Sequence, residues 1–540
     1  MKRRTFLQST AIGAAALTTA PLASCTANKS GDNTLLTSET DDFVLNEVTC
    51  DQLQKWMEDG TYTSEMIVEL YLDRIEKVDR SGPALNSVLE LNPDALEQAR
   101  QLDAERREGK VRGPLHGIPV MIKDNIDTGD KMMTTAGSLA LVGHIAAKDS
   151  PVAAQLRKAG AVILAKTNLS EWANFRSTRS SSGWSSRGGQ VRNPYILDHS
   201  PCGSSSGSGA AVSANLCALA IGTETNGSIT CPSNANGVVG IKPTVGLISR
   251  TGIIPISFTQ DTAGPMCRTV KDAAYLLGAL TEEDPADSAT QVNREKILND
   301  YVQFLDEDGL RGARIGVGRG YMGFHEAVDP VIEDALKVLE EKGAVLVDLD
   351  ETIGRLRGDA GYNVLLYEFK DGLNKYLATT ADDFPVKSLE ELIRFNKEHE
   401  SEAMPYFRQE ILEEAQAKGD LTEEEYKSAL SDMLKAYRED GIDKVMNEHQ
   451  LDAIVAPTRG LSWTIDLVNG DHGVGGSSSA AARAGYPNVT VPAGFAFDLP
   501  LGLSFFGRAY SEPLLLKYAY AYEQASMKRQ KPGFIPCRKY

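Results

Sequence analysis

Apolar positions along this chain keep two different periods, and the change between them sketches the fold. Thr49-x-x-Gln52 forms a capping box ahead of Leu53, Trp56 and Met57, which predicts a helix opening at Thr49. Ile67, Tyr71, Ile75 and Val78 fall on one face of a second helix. A third is predicted to open at Asn92-Pro93 and stop at Gly109, with Leu96 and Leu102 turned inward. The rhythm then becomes strand, helix, strand: Ile118 to Ile122, Pro151 to Lys158 stopped by Gly160, and Ala161 to Ala165. Such alternation predicts an α/β sheet. Lys123 closes the first of these strands, at the end where open α/β sheets hold their ligand crevices.

From Ala210 to Ile221 the chain has almost no polar face, which predicts a buried helix. Thr269-x-x-Asp272 opens a further helix in capping-box fashion. Asp329-Pro330 starts another, which Gly343 ends before a strand at Ala344 to Val347. Residues of about 390–450 are charged and helical, with runs such as Glu413-Glu414 and Glu423-Glu424-Glu425, and most of that charge reads as a solvated face on a helical insertion. No strong linker, repeat of fixed period or low-complexity block divides the chain. The reading is one large α/β unit.

The amino terminus changes the picture of location. Lys2-Arg3-Arg4-Thr5-Phe6-Leu7 places a twin arginine before the modest apolar run Ala11 to Leu17, and Leu22-Ala23-Ser24-Cys25 resembles a lipoprotein cleavage box. The expectation is a signal peptide over 1–24, a disordered tether over 25–42, and a globular domain over 43–540. On this reading the protein is exported to the periplasm or cell envelope, and its one membrane contact is a lipid on Cys25. No stretch reaches 18 apolar residues, so a membrane span is not expected. The formal net charge of −18 argues against nucleic acid as a partner.

Cysteine and histidine usage narrows the chemistry. Apart from Cys25, Cys50, Cys202, Cys217, Cys231, Cys267 and Cys537 are scattered without a C-x-x-C pair, and free core thiols are expected. Cys231, close to Ser228, is a conceivable nucleophile. The seven histidines include no H-x-x-x-H pair. Neither a metal nor any cofactor is implied.

Chemistry concentrates in Pro201 to Thr244, where two Gly/Ser-rich turns bracket the apolar run. The first, Gly203 to Gly209, leads into the predicted helix; the second is Thr225-Asn226-Gly227-Ser228. Glycines before a helix N-terminus let backbone N–H groups approach a ligand closely, where the helix dipole favours developing negative charge. A tight Gly/Ser turn can also hold a serine oxygen against a carbonyl.

These turns, with Gly117-Ile118-Pro119-Val120-Met121-Ile122-Lys123-Asp124 upstream, resemble the signature region of the amidase signature family of serine hydrolases. Thr167 to Phe175 is similar to its peptide-amidase-like members, and further likeness at Gln260 to Pro265, Leu451 to Thr458, Gly485 to Pro492 and Gly502 to Gly507 extends it over roughly Thr49 to Pro536. The resemblance implies a large mixed β-sheet flanked by helices. It also implies Ser228 as nucleophile, Ser204 as a bridging serine after a cis peptide bond, and Lys123 as base. The two serines stand 24 positions apart, the family's spacing. Backbone N–H groups of Thr225, Asn226, Gly227 and Ser228 would form the oxyanion hole. The implied reaction is hydrolysis of a carboxamide, on a small molecule or a peptide, through a serine acyl-enzyme.

Several positions depart from the family pattern. Asn226 stands where Gly or Asp is usual, Glu224 where Asp is common, Cys202 and Ser206 where Gly is usual, and Gly209 where Ala often sits. Asn tolerates left-handed backbone angles, which would preserve the hole, whereas Ser206 puts a side chain into a tight turn. Two other readings stay open. Gly203-Ser204-Ser205-Ser206-Gly207 fits G-x-S-x-G, the nucleophile elbow of an α/β-hydrolase esterase with Ser205 and a distant histidine such as His472. The other is an inactive amidase fold used as a binding protein.

Overall fold

Thr49 accepts a hydrogen bond from Gln52 N at 3.3 Å and opens α1 (Cys50–Asp59). In the computed structural model, which describes residues 41–538 apart from positions 293, 355, 357 and 359, most of the predicted helices follow. They are α2 (Ser64–Arg74), α3 (Ala95–Arg107) and α4 (Pro151–Lys158), the last capped by Ser150 Oγ on Ala153 N. Helix α2 runs on into a wider turn at Ile75–Arg80, so Val78 still faces the core. The twin arginine, the cleavage box and Cys25 lie outside the described residues.

Eleven strands build one mixed sheet: β1 (Val88–Leu91), β2 (Pro119–Lys123), β3 (Val162–Thr167), β4 (Leu219–Glu224), β5 (Val239–Lys242), β6 (Thr262–Cys267), β7 (Arg314–Gly318), β8 (Val345–Leu349), β9 (Ala453–Pro457), β10 (Asn488–Ala496) and β11 (Leu499–Phe506). Their order is β1-β3-β2-β4-β6-β5-β10-β11-β9-β7-β8. β2 runs parallel to β3 and β4, β9 parallel to β7, and β7 parallel to β8; the remaining pairs are antiparallel. Strands β2, β3, β4 and β6 are buried along their whole length because helices cover both faces.

The run Ala210 to Ile221 is not one helix. It divides into α5 (Ser206–Ser213) and β4, with Asn215 at φ +58° turning the chain between them. A segment buried on every side is apolar throughout whether it coils or extends, so its pattern cannot separate the two. The division places both serine-bearing turns at the ends of β4's neighbourhood: Ser204 just before α5, and Ser228 between β4 and α6 (Thr230–Ala235).

Residues 390–450 hold short helices, among them Leu389–Glu398, Glu410–Gln416 and Glu424–Tyr437. Glu424–Tyr437 packs with Val364 and Tyr367 in one apolar cluster, whereas the first two and Ala360–Leu377 build another around Phe369, Leu373, Leu389 and Leu392, which Trp172 and Phe175 join. That contact ties the helical stretch to the segment that follows β3.

Candidate active site

Lys123 ends β2 fully buried, with its Nζ 2.8 Å from Ser204 Oγ, 2.8 Å from Thr223 Oγ1 and 3.3 Å from Thr223 O. Asn125 Nδ2 donates to the same Thr223 hydroxyl at 3.0 Å. Burial drives the lysine pKa down to about 7, against a smaller upward pull from the carboxylates of Asp261 and Glu224. Near neutral pH, therefore, a large fraction of this amine carries a free lone pair.

The Gly203–Ser204 peptide is cis, and Ser204 is buried with its carbonyl accepting from Ser170 N at 3.1 Å. Ser205 has a different task. Its hydroxyl donates to Thr223 O at 3.0 Å and accepts from Thr223 N at 3.1 Å, while its own N–H bonds Ser228 O at 3.1 Å. Both capacities of that oxygen are spent on β4, and His472 pairs instead with Asp466 at 3.6 Å. The geometry does not support a nucleophile elbow at Ser205. Ser206 fits its turn because its hydroxyl donates to Cys202 O at 2.6 Å.

In the second turn the left-handed residue is Gly227, at φ +85°, so the tolerance of Asn226 for such angles is not needed. Asn226 is useful through its side chain: Oδ1 accepts from Ser478 Oγ at 2.8 Å, and Nδ2 donates to Ser479 Oγ at 3.1 Å. Glu224 accepts from Ile229 N at 2.8 Å and Thr230 N at 2.9 Å, holding the start of α6 from beneath. Asp261 accepts from Thr225 Oγ1 at 2.6 Å and from Ile256 N and Ser257 N at 2.8 and 2.9 Å. The turn is pinned on three sides.

Thr225, Asn226, Gly227 and Ser228 line a cavity of about 360 Å³, together with Phe175, Arg459, Trp463 and Asp471. Lys123 and Ser204 lie behind its wall in contact with each other, and Ser228 faces the space. Cys202 and Cys231 also line it, joined as a disulfide with Cα atoms 5.9 Å apart. This corrects the expectation of free thiols at these two positions and removes Cys231 as a nucleophile, since a bridged sulfur offers no thiolate. Cys50, Cys217, Cys267 and Cys537 are free. Sequence reasoning passed over Thr223, Asp261, Arg459, Trp463 and Asp471. A signal existed for Asp261, inside the likeness at Gln260 to Pro265, and for the two cysteines, each beside one of the serine turns.

Known proteins resemble this chain along most of its length. The model of the family described as Amidase matches residues 66–516. A probable amidase of Arabidopsis thaliana is 42% identical over 505 residues, covering 91% of this chain and 93% of the relative. A putative amidase of Schizosaccharomyces pombe is 38% identical, covering 91% and 87%. The crystal structure of native peptide amidase from Stenotrophomonas maltophilia superposes with a TM-score of 0.86 at 50% identity, covering 91% of this chain and 99% of that one.

The same comparisons overturn the expected location. Three of the relatives are amidases of a plant, a yeast and another fungus, and nothing in them points to a signal peptide, twin-arginine export or lipidation at Cys25. A pair of arginines and a four-residue cleavage string are short enough to recur by chance, so the periplasmic lipoprotein reading and its membrane contact are withdrawn. What stands is the match over the sheet and its flanking helices: this chain belongs to the amidase family and is a hydrolase acting on amides.

Proposed function

We propose that the chain hydrolyses a terminal carboxamide of a peptide-like substrate through an acyl-enzyme on Ser228, with Ser204 relaying protons to and from Lys123. The observation that carries this reading is the buried Lys123 amine 2.8 Å from Ser204 Oγ. A neutral amine has two N–H groups and one lone pair. Thr223 O and Thr223 Oγ1 take the two N–H groups, and the lone pair is left for the Ser204 proton. Ser204 in turn accepts the proton that Ser228 sheds as it attacks the amide carbon.

The carbonyl oxygen then becomes an oxyanion facing the N–H groups of Thr225, Asn226, Gly227 and Ser228. Losing one such donor costs on the order of 3 to 4 kcal/mol of transition-state stabilisation. The proton returns through Ser204 to the leaving nitrogen, the C–N bond breaks, and ammonia departs. Water then attacks the ester on Ser228 by the same relay, which releases the carboxylic acid. No metal or cofactor takes part in this scheme. A peptide substrate is favoured by the 50% identity to a peptide amidase and by the polar cavity wall around Ser228.

A fluorophosphonate probe should add one adduct, mapping to Ser228 by peptide mass. Ser228→Ala should abolish both the adduct and ammonia release from amidated peptides. Ser204→Ala should lose about 10²- to 10⁴-fold in turnover while keeping slow labelling of Ser228. An adduct on Ser204 or Ser205 would reverse the assignment, and a folded protein that takes no adduct and releases no ammonia would favour an inactive binding fold.

A further inference from the structure

One wall of the cavity carries a cation that the hydrolytic scheme leaves idle. Arg459 stands two residues beyond β9, and its guanidinium carbon lies 5.6 Å from the centre of the Trp463 ring. Trp463 is itself held in place: its indole N–H donates to Asp471 Oδ1 at 3.2 Å, and Asp471 also accepts from Ser182 N at 2.9 Å and Ser182 Oγ at 2.5 Å. The space beside the pair is kept by Gly473, where a Cβ would come within 2.5 Å of the Trp463 ring and 2.8 Å of Arg459 Nη2. The arginine plate thus stacks on an aromatic face held by Asp471, an exposed carboxylate at the cavity rim whose charge also acts on Arg459.

Among the described residues, the Arg459 guanidinium makes no ion pair or hydrogen bond, and its Nε is buried without a partner. Five N–H donors in a fixed fork are a costly thing to leave unpaired in a partly enclosed site. They fit an oxygen acceptor brought by the substrate, and the planar fork matches a carbonyl or carboxylate better than an ammonium would. Ser228 and the turn 225–228 line the same cavity.

We propose that Arg459 is a specificity-determining residue that anchors the acyl side of the substrate, donating to a second carbonyl or carboxylate oxygen carried beyond the scissile amide. This rests on the reading that Ser228 attacks within the same cavity. It names the preferred substrates as amides whose acyl part bears such an oxygen, as the preceding peptide bond of a peptide amide does. A plain aliphatic or aryl amide leaves the fork unpaired and is bound less well.

Three amides of equal aromatic bulk test this: N-acetylphenylalaninamide, which offers a carbonyl; N-succinylphenylalaninamide, which adds a carboxylate; and 3-phenylpropanamide, which offers neither. The wild-type protein should favour the first two in kcat/KM. Arg459→Met should cut that preference by about 10- to 100-fold, the range expected for a hydrogen bond to a charged group, with the change mainly in KM. Arg459→Lys should restore part of it. A loss confined to the succinyl compound assigns the fork to an anionic acyl chain, and equal loss on both N-acylated compounds assigns it to the backbone carbonyl. Equal loss on all three, no loss on any, or no wild-type turnover of any overturns the proposal. The rate of fluorophosphonate labelling at Ser228, followed in each variant, shows separately whether the nucleophile is in place and the variant folded.

Discussion

Lys123 shows how one residue's surroundings set its charge. Its pKa falls to about 7 because the ammonium form loses water in the sheet interior, and the carboxylates of Asp261 and Glu224 offset only part of that loss. If the neutral amine is the productive form, kcat/KM should rise with pH and level off above an apparent pKa near 7. Lys123→Ala should lose orders of magnitude on amides and flatten that limb, and Lys123→Arg should do no better because guanidinium stays protonated. A wild-type profile in Lys123→Arg would make the lysine structural. Stability carries the same signature. The folded value is about 7 and the free value 10.5, so between them the unfolded chain holds the extra proton and stability rises with pH. Melting curves of wild type and Lys123→Met should therefore converge as pH climbs from 7 towards 10. Lys123, Ser204 and the turn 225–228 could be named from sequence because each sits in a local motif. Thr223 and Arg459 could not, because what makes them matter is a partner far away in the chain.

Among the elements, the disulfide between Cys202 and Cys231 joins the turn before α5 to the first turn of α6 and so braces both serine turns at once. Cross-links of this loop length contribute typically 2 to 4 kcal/mol. Cys202→Ser with Cys231→Ser should lower the melting temperature by several degrees. It should also slow amide turnover more than it weakens labelling of Ser228, since the proposed relay needs both turns in register. Reduction with a phosphine should reproduce the effect in wild type and leave the double variant unmoved. Unchanged stability and turnover in both would show the bridge to be incidental. The expectation of free thiols rested on the reducing cytosol in which a twin-arginine passenger folds, and the scattered spacing of the cysteines says nothing about how β4 folds back and brings positions 202 and 231 together. The misread helix at Ala210 to Ile221 has the same origin. Where helices and strands are both buried, the polar residues that mark a face are missing, and only Asn215 hinted at the break.

At the scale of the whole molecule, β1 to β6 carry the lysine, both serine turns and the N–H groups, whereas β7 to β11 and their loops supply Arg459, Trp463, Asp471, Ser478 and Ser479. The mixed sheet with flanking helices was legible from the alternating periods and the family resemblance. Which strand of one half meets which strand of the other was not, for pairing across such a distance leaves no local pattern. The seam is β5 against β10, with Thr490 opposite Gly240 and Asn488 opposite Lys242. This seam sets a timetable for synthesis. As the ribosome extends the chain from its amino end, β5 emerges with one side unpaired and stays so until Asn488–Ala496 has been made. Until then the nascent chain presents a raw strand edge, the kind of surface that recruits other chains. Polypeptides halted between β6 and Asn488 should need a chaperone to stay in solution, although every residue of the proposed catalytic relay has already been translated.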